Sequence, residues 1–163
     1  MAIIEYVSVK IGEVKTGKSP DILNATLGSC VGIAFIWKEK GLYGLAHCLL
    51  PEAPTAEFKI GAKYVSHAVP SLLKMMNISQ EDYSQIEVFV AGGGNMMAVL
   101  SQRNSQHIGF LNAEAATKHL NKLGLKIKHS DFGGEEWRKM VVNCATGDVE
   151  IVKIPQESFK KAG

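Results

Sequence analysis

Seven residues constrain this chain more than any others: Val31 to Trp37, "VGIAFIW", a continuous apolar and β-prone run. A strand with no polar alternation has no face to give to water, so both of its faces must be covered. "KEKG" then turns the chain, and "LYGLAHCLL" (Leu42 to Leu50) returns as the second arm of a hairpin. The fold must therefore supply a layer on each side of this hairpin.

The rest of the chain offers such layers. Ile3 to Val9 reads as an edge strand, Glu13 to Asp21 ("EVKTGKSPD") as a loop, and Ile22 to Leu27 as a short strand. Ile60, Tyr64, Val65, Ala68, Val69, Leu72, Leu73 and Met76 recur at helical spacing, with Pro70 expected to kink or restart that helix. Ile86 to Gly94 is a strand entering a glycine loop. Asn112 reads as the N-cap of a helix over Ala113 to Leu123, stopped by Gly124. "LKIKHSD", the turn "FGGEE" and a second hairpin turning at Thr146-Gly147-Asp148 complete the chain. Strands cluster before and after the helices rather than alternating with them, which points to α+β: mixed or antiparallel sheet layers with two main helices. One domain over 1–163 is expected, with 155–163 as a flexible tail.

Composition narrows the function. Hydrophobic residues are 46% and charged residues 21% of the 163, and net charge is +2, with Lys and Arg scattered rather than striped. That argues against a nucleic-acid partner. No run approaches the ~20 apolar residues of a spanning helix, and the N-terminus lacks a signal-peptide core. Three widely spaced cysteines, Cys30, Cys48 and Cys144, make a poor disulfide framework and fit a reducing compartment. A cytoplasmic protein without membrane insertion is expected.

The chemistry gathers at "TLGSCVG", Thr26 to Gly32. Cys30 opens one arm of the hairpin and His47 lies near the end of the other, so antiparallel pairing brings them together. Imidazole can make a thiol reactive near neutral pH. Gly28 and Ser29 allow backbone N–H groups to converge on a developing oxyanion. Cys48, next to His47, points to the opposite face and is expected in the core. Cys144 reads as structural. His67, His107, His119 and His129 have no metal-ligand spacing with the cysteines, so no metal or other cofactor is expected. Gly92-Gly93-Gly94 lacks the Gly-Lys-Ser/Thr of a phosphate loop and suits close approach to a peptide instead.

"LGSCVGIAF" followed by "GLAHCLLP" resembles the chemoreceptor glutamine deamidase family, CheD, in its "GSCV" and "H-x-x-L-P" segments. Lys63-Tyr64, "AGGGNMM" (Ala91 to Met97), "IGFLN" (Ile108 to Asn112) and "DFGGEEWRKM" (Asp131 to Met140) follow in family order. Trp137 departs from the small glycine that the family often has there. The resemblance implies a fold shared with deamidating bacterial toxins, Cys30 as nucleophile and His47 as general base. It implies a third catalytic member just upstream of the cysteine, Thr26 or else Asn24. It implies no cofactor, the cytoplasmic domain of a chemoreceptor as protein substrate, and a CheC-type phosphatase as a second partner. The rival expectation is a catalytically weak adaptor that binds and stimulates that phosphatase. Recognition is expected around Gly92 to Met97 and Phe132 to Arg138. A catalytic Cys30 is expected to titrate below the ~8.5 of a free thiol.

Overall fold

The computed structural model describes residues 3–97 and 107–155. Two sheets and two helices form it. The larger sheet has the order β2-β5-β4-β6-β7, built from β2 (Val14–Gly17), β4 (Val31–Trp37), β5 (Leu42–Cys48), β6 (Glu87–Gly92) and β7 (Ile127–Phe132). The smaller has the order β1-β3-β8-β9, built from β1 (Tyr6–Ser8), β3 (Ile22–Leu27), β8 (Trp137–Asn143) and β9 (Asp148–Ile154). Most pairs are antiparallel, but β1·β3 and β6·β7 are parallel, so both sheets are mixed. This is the α+β architecture expected of the sequence.

The apolar run becomes β4, the central strand, and all of it is buried. Val31, Ile33, Phe35 and Trp37 face the helices α1 (Val65–Met75) and α2 (Ile108–Lys122), among Val65, Val69, Leu72 and Leu120. Ala34 and Ile36 face the smaller sheet, among Leu23, Leu27, Met140 and Val142. Each large side chain so covered contributes about 1.5–3 kcal/mol. The molecule is thus three layers, helices on sheet on sheet, with the β4–β5 hairpin in the middle one.

Three local expectations are corrected. Within Glu13–Asp21 the chain forms β2, an edge strand on β5, with Val14 buried toward the helices and Gly17 against Cys144 and Leu23 of the smaller sheet, while Lys15 is half-buried and Thr16 exposed. Helix α1 runs through Pro70 without interruption, since Val65, Ala68, Val69 and Leu72 bury one continuous face around it. The second helix begins at Ile108, not after Asn112. His107 caps it by accepting the Phe110 N–H at Nδ1, 3.1 Å away, and Asn112 lies fully buried inside the helix. Among the described residues no helix is long and apolar enough to cross a membrane.

Candidate active site

The ladder between β4 and β5 pairs Val31 with Cys48 and Gly32 with His47, and ends there. Cys30 is the next residue beyond the ladder. Side chains two apart on a strand share a face, so Cys30 follows Gly32 on the face that looks toward the smaller sheet, and His47 is its diagonal neighbour. Gly32 stands between them without a side chain. A Cβ there would meet Met140 Sδ at 2.8 Å and Leu27 Cδ1 at 2.9 Å, so a larger residue would have to displace these two side chains of the smaller sheet. Cys48 faces the helices and is completely buried, as expected.

His47 is held on several sides. Its N–H donates to Glu13 O (3.0 Å), and its carbonyl accepts from Gly12 N–H (2.8 Å). Its Nδ1 lies 2.8 Å from Val9 O. A carbonyl only accepts, so Nδ1 carries the proton and Nε2 bears the lone pair. Nε2 is buried with no hydrogen-bond partner. The ring is therefore presented as a neutral base with its basic nitrogen unengaged.

The electrostatics correct one expectation. Burial pushes the Cys30 thiol upward rather than below the free-thiol range. Burial also pulls His47 downward, against smaller upward effects of the Val9 hydrogen bond and the Glu13 charge. Both shifts favour the neutral forms of the pair. Burial drives Cys144 up to about 11, with a smaller contribution from the Asp21 charge, and it also lies in the core.

The glycines of the site brace the cysteine backbone. Gly93 N–H donates to Cys30 O and Gly94 N–H to Gly28 O, each at 2.9 Å. Gly92, at φ 108°, passes so close that a Cβ would stand 2.2 Å from Cys30 O. Gly92 and Gly93 are buried, and only Asn95 to Met97 of that loop reach the surface. Gly28 lies beneath the Trp137 ring, 2.9 Å from where its Cβ would be. Among the described residues, the Ser29 and Cys30 backbone N–H groups donate no hydrogen bond.

Thr26 is exposed on the outward face of β3, because Leu23, Ala25 and Leu27 take the inward one. Its neighbour on that face, Asn24, donates from Nδ2 to Val7 O (3.3 Å) and accepts Val9 N–H at its backbone carbonyl (2.7 Å). Asn24 thereby fixes the segment whose Val9 carbonyl orients His47.

Two residues were not assigned these roles from sequence. Asn112 donates from Nδ2 to Ser29 O and to Leu49 O, both at 3.0 Å. Arg138 is buried and donates to the carbonyls of Gly92 (3.4 Å), Glu136 (3.4 Å) and Gly133, and to Asp131 Oδ1 (3.4 Å), tying the glycine loop to β7 and β8. Within "IGFLN" and "DFGGEEWRKM" the available signal was a polar side chain spaced a fixed distance from glycine. Beside the site an open, largely apolar groove of about 580 Å³ runs from Gly93 past Phe110 and Ala113 to Lys118, with Phe132 opposite.

A cysteine, an imidazole whose Nε2 has no hydrogen-bond partner, and backbone N–H groups thus meet at the end of the β4–β5 ladder. The chain belongs to the CheD family. The family model described as CheD chemotactic sensory transduction matches residues 49–153, a span that starts just after His47. Full-length relatives extend the match. A probable chemoreceptor glutamine deamidase CheD 2 from Ruegeria sp. is 36% identical, over 94% of each chain. A probable chemoreceptor glutamine deamidase CheD from Bdellovibrio bacteriovorus is 37% identical over 91% of this chain and 94% of its own. One from Methanococcus vannielii is 36% identical over 89% of this chain and 93% of its own.

Proposed function

We propose that this protein is a site-specific protein-glutamine deamidase acting on the cytoplasmic domain of a chemoreceptor. Family membership supports the reaction class. The observation that carries the mechanism is the His47 ring, locked by Val9 O in the tautomer that leaves a buried lone pair on Nε2, at the ladder end where Cys30 emerges.

Cys30 gives its proton to Nε2 as the sulfur attacks the glutamine side-chain carbonyl carbon. The oxyanion is received by the unengaged N–H groups of Ser29 and Cys30, with Gly28 providing the close turn and Gly92 and Gly93 holding the Cys30 carbonyl away from it. The tetrahedral adduct collapses, the C–N bond breaks, and the imidazolium proton leaves with ammonia. Water then loses a proton to Nε2 and its oxygen adds to the thioester. The S–C bond breaks, the sulfur regains a proton, and glutamate is released. Net, water replaces ammonia, and no cofactor enters. Val9 O, on a segment that Asn24 holds through Val7 O and the Val9 N–H, takes the part of a third member by orienting the imidazole, and Thr26 lies on the outer face of β3.

The apolar groove along α2 favours a second reading, an adaptor of low turnover that stimulates a CheC-type phosphatase. The groove along α2 is then the surface that receptor and phosphatase contest. Incubation in turn with receptor cytoplasmic domains and with a CheC-type phosphatase separates the readings. Glutamate at defined receptor glutamines, found by peptide mass mapping, supports the deamidase. An unmodified receptor together with faster dephosphorylation of the response regulator supports the adaptor.

A further inference from the structure

The β4–β5 ladder stops at Val31 and Cys48, one residue short of the nucleophile. Beyond it the two chains part, one toward Ser29 and the other toward Leu50. At that point the Asn112 carboxamide enters from α2 and donates one N–H to each chain, to Ser29 O and Leu49 O, both at 3.0 Å. Both partners are acceptors, so the orientation of the amide is fixed: Nδ2 toward the hairpin, Oδ1 away from it. Ser29 immediately precedes Cys30, and Leu49 follows His47 by two residues.

Several things about Asn112 are locally unfavourable. Asparagine is a weak helix former away from the cap. The side chain is wholly buried, and Oδ1 has no hydrogen-bond partner. A buried acceptor left unpaired costs stability. What the residue gains is the double contact alone. Its delivery is built in. Gly109 lies one helical turn earlier on the same face, and a Cβ there would stand 2.3 Å from Gly94 O, so α2 can reach this depth only through glycine.

We infer that Asn112 is a positioning residue, a side-chain rivet that replaces the missing rung of the ladder and sets the Cys30 loop against the His47 strand. It hydrogen-bonds neither the sulfur nor the imidazole. It fixes how far apart their backbones stand, and a displacement of about 1 Å in such a pair costs on the order of a hundredfold in rate. The inference deepens the deamidase reading and rests on it for its kinetic part alone.

The test compares the parent with Asn112→Ser and Asn112→Asp. The serine variant loses about a hundredfold in kcat while KM stays within about threefold, the signature of a lost transition-state geometry. Hydrogen exchange in it accelerates at residues 28–32 and 48–50 and not in α1. The aspartate variant is inactive at neutral pH, where a carboxylate faces two carbonyls. It regains activity toward acid pH, where its protonated form donates one of the two bonds, a trend opposite to that of the parent. A folded serine variant with parental kcat overturns the inference. So does an aspartate variant whose pH profile parallels the parent's, or an exchange increase spread over the whole protein. Should neither variant fold, the parent decides by NMR: slowly exchanging Asn112 side-chain protons support the rivet, and protons exchanging as fast as an exposed amide overturn it. If the parent deamidates no receptor glutamine, the function reading fails, while the exchange and NMR arms still decide the rivet.

Discussion

Gly92→Ala, set against Gly41→Ala, measures how tightly the nucleophile's backbone is held. Both glycines have positive φ, 108° and 60°. At Gly41 an added Cβ meets nothing within 4 Å, so its cost is the left-handed backbone alone, about 1–2 kcal/mol. At Gly92 the same class of strain is joined by a contact 2.2 Å from Cys30 O. That oxygen cannot yield freely, because Gly93 N–H is bonded to it at 2.9 Å. Overpacking against a fixed group adds about 1–3 kcal/mol, giving about 2–5 kcal/mol in total. Urea unfolding with a slope of about 1–3 kcal/mol per molar resolves that difference from the Gly41 control. A domain stable by about 10 kcal/mol, the middle of the usual range, remains folded in either case. The strain in Gly92→Ala is relieved by moving Cys30, so deamidation falls about a hundredfold, whereas Gly41→Ala turns over as the parent does. Equal destabilisation by the two substitutions, or parental turnover in Gly92→Ala, refutes the bracing role of the glycine loop.

His47 is held below its ordinary range, so the folded state binds fewer protons than the unfolded chain below about pH 6.5, and stability falls as pH drops through that window. His47→Gln flattens this part of the melting-temperature profile and abolishes turnover; an unchanged profile means that another group titrates there. Cys30 is raised, so its thiol form contributes stability that is lost as pH climbs above the ~8.5 of the unfolded thiol, and Cys30→Ala reduces that alkaline loss in the same scan. Arg138→Met takes the guanidinium away from the Gly92, Gly133 and Glu136 carbonyls and from the Asp131 carboxylate, of which Gly92 O keeps the Gly133 N–H and Asp131 keeps Lys153, and chemical denaturation should register a loss of about 3–5 kcal/mol that Arg138→Lys, lacking the planar fork, does not recover. Trp137→Gly uncovers Gly28, and steady-state kinetics on a receptor domain should show a change in KM with kcat nearly kept.

The layered fold was legible where side chains alone decide it. Val31 to Trp37 read as a strand covered on both sides, whereas the outward face of Thr26, expected as a catalytic member, emerged only with the strand. Strand β2 was not legible, because it is four residues long, with only Val14 and Gly17 buried, and Lys15, Thr16 and Gly17 imitate a loop. The pairing of Cys30 with His47 followed from hairpin register. The direction of their titration did not, since burial is set by the second sheet and by the Val9–Glu13 segment wrapped over His47. Asn112 was misplaced for a similar reason. Asparagine suits an N-cap on local grounds, and only the tertiary approach of α2 to the open end of the ladder gives it a better use.

The most direct test asks whether the Cys30 sulfur carries the reaction. Parent and Cys30→Ala, both verified as folded by thermal melting, are incubated with the same receptor cytoplasmic domain, and glutamine-to-glutamate conversion is followed by peptide mass mapping over time. The account predicts conversion at defined glutamines with the parent and none above the protein-free control with the variant. Conversion by Cys30→Ala at the parental rate contradicts it.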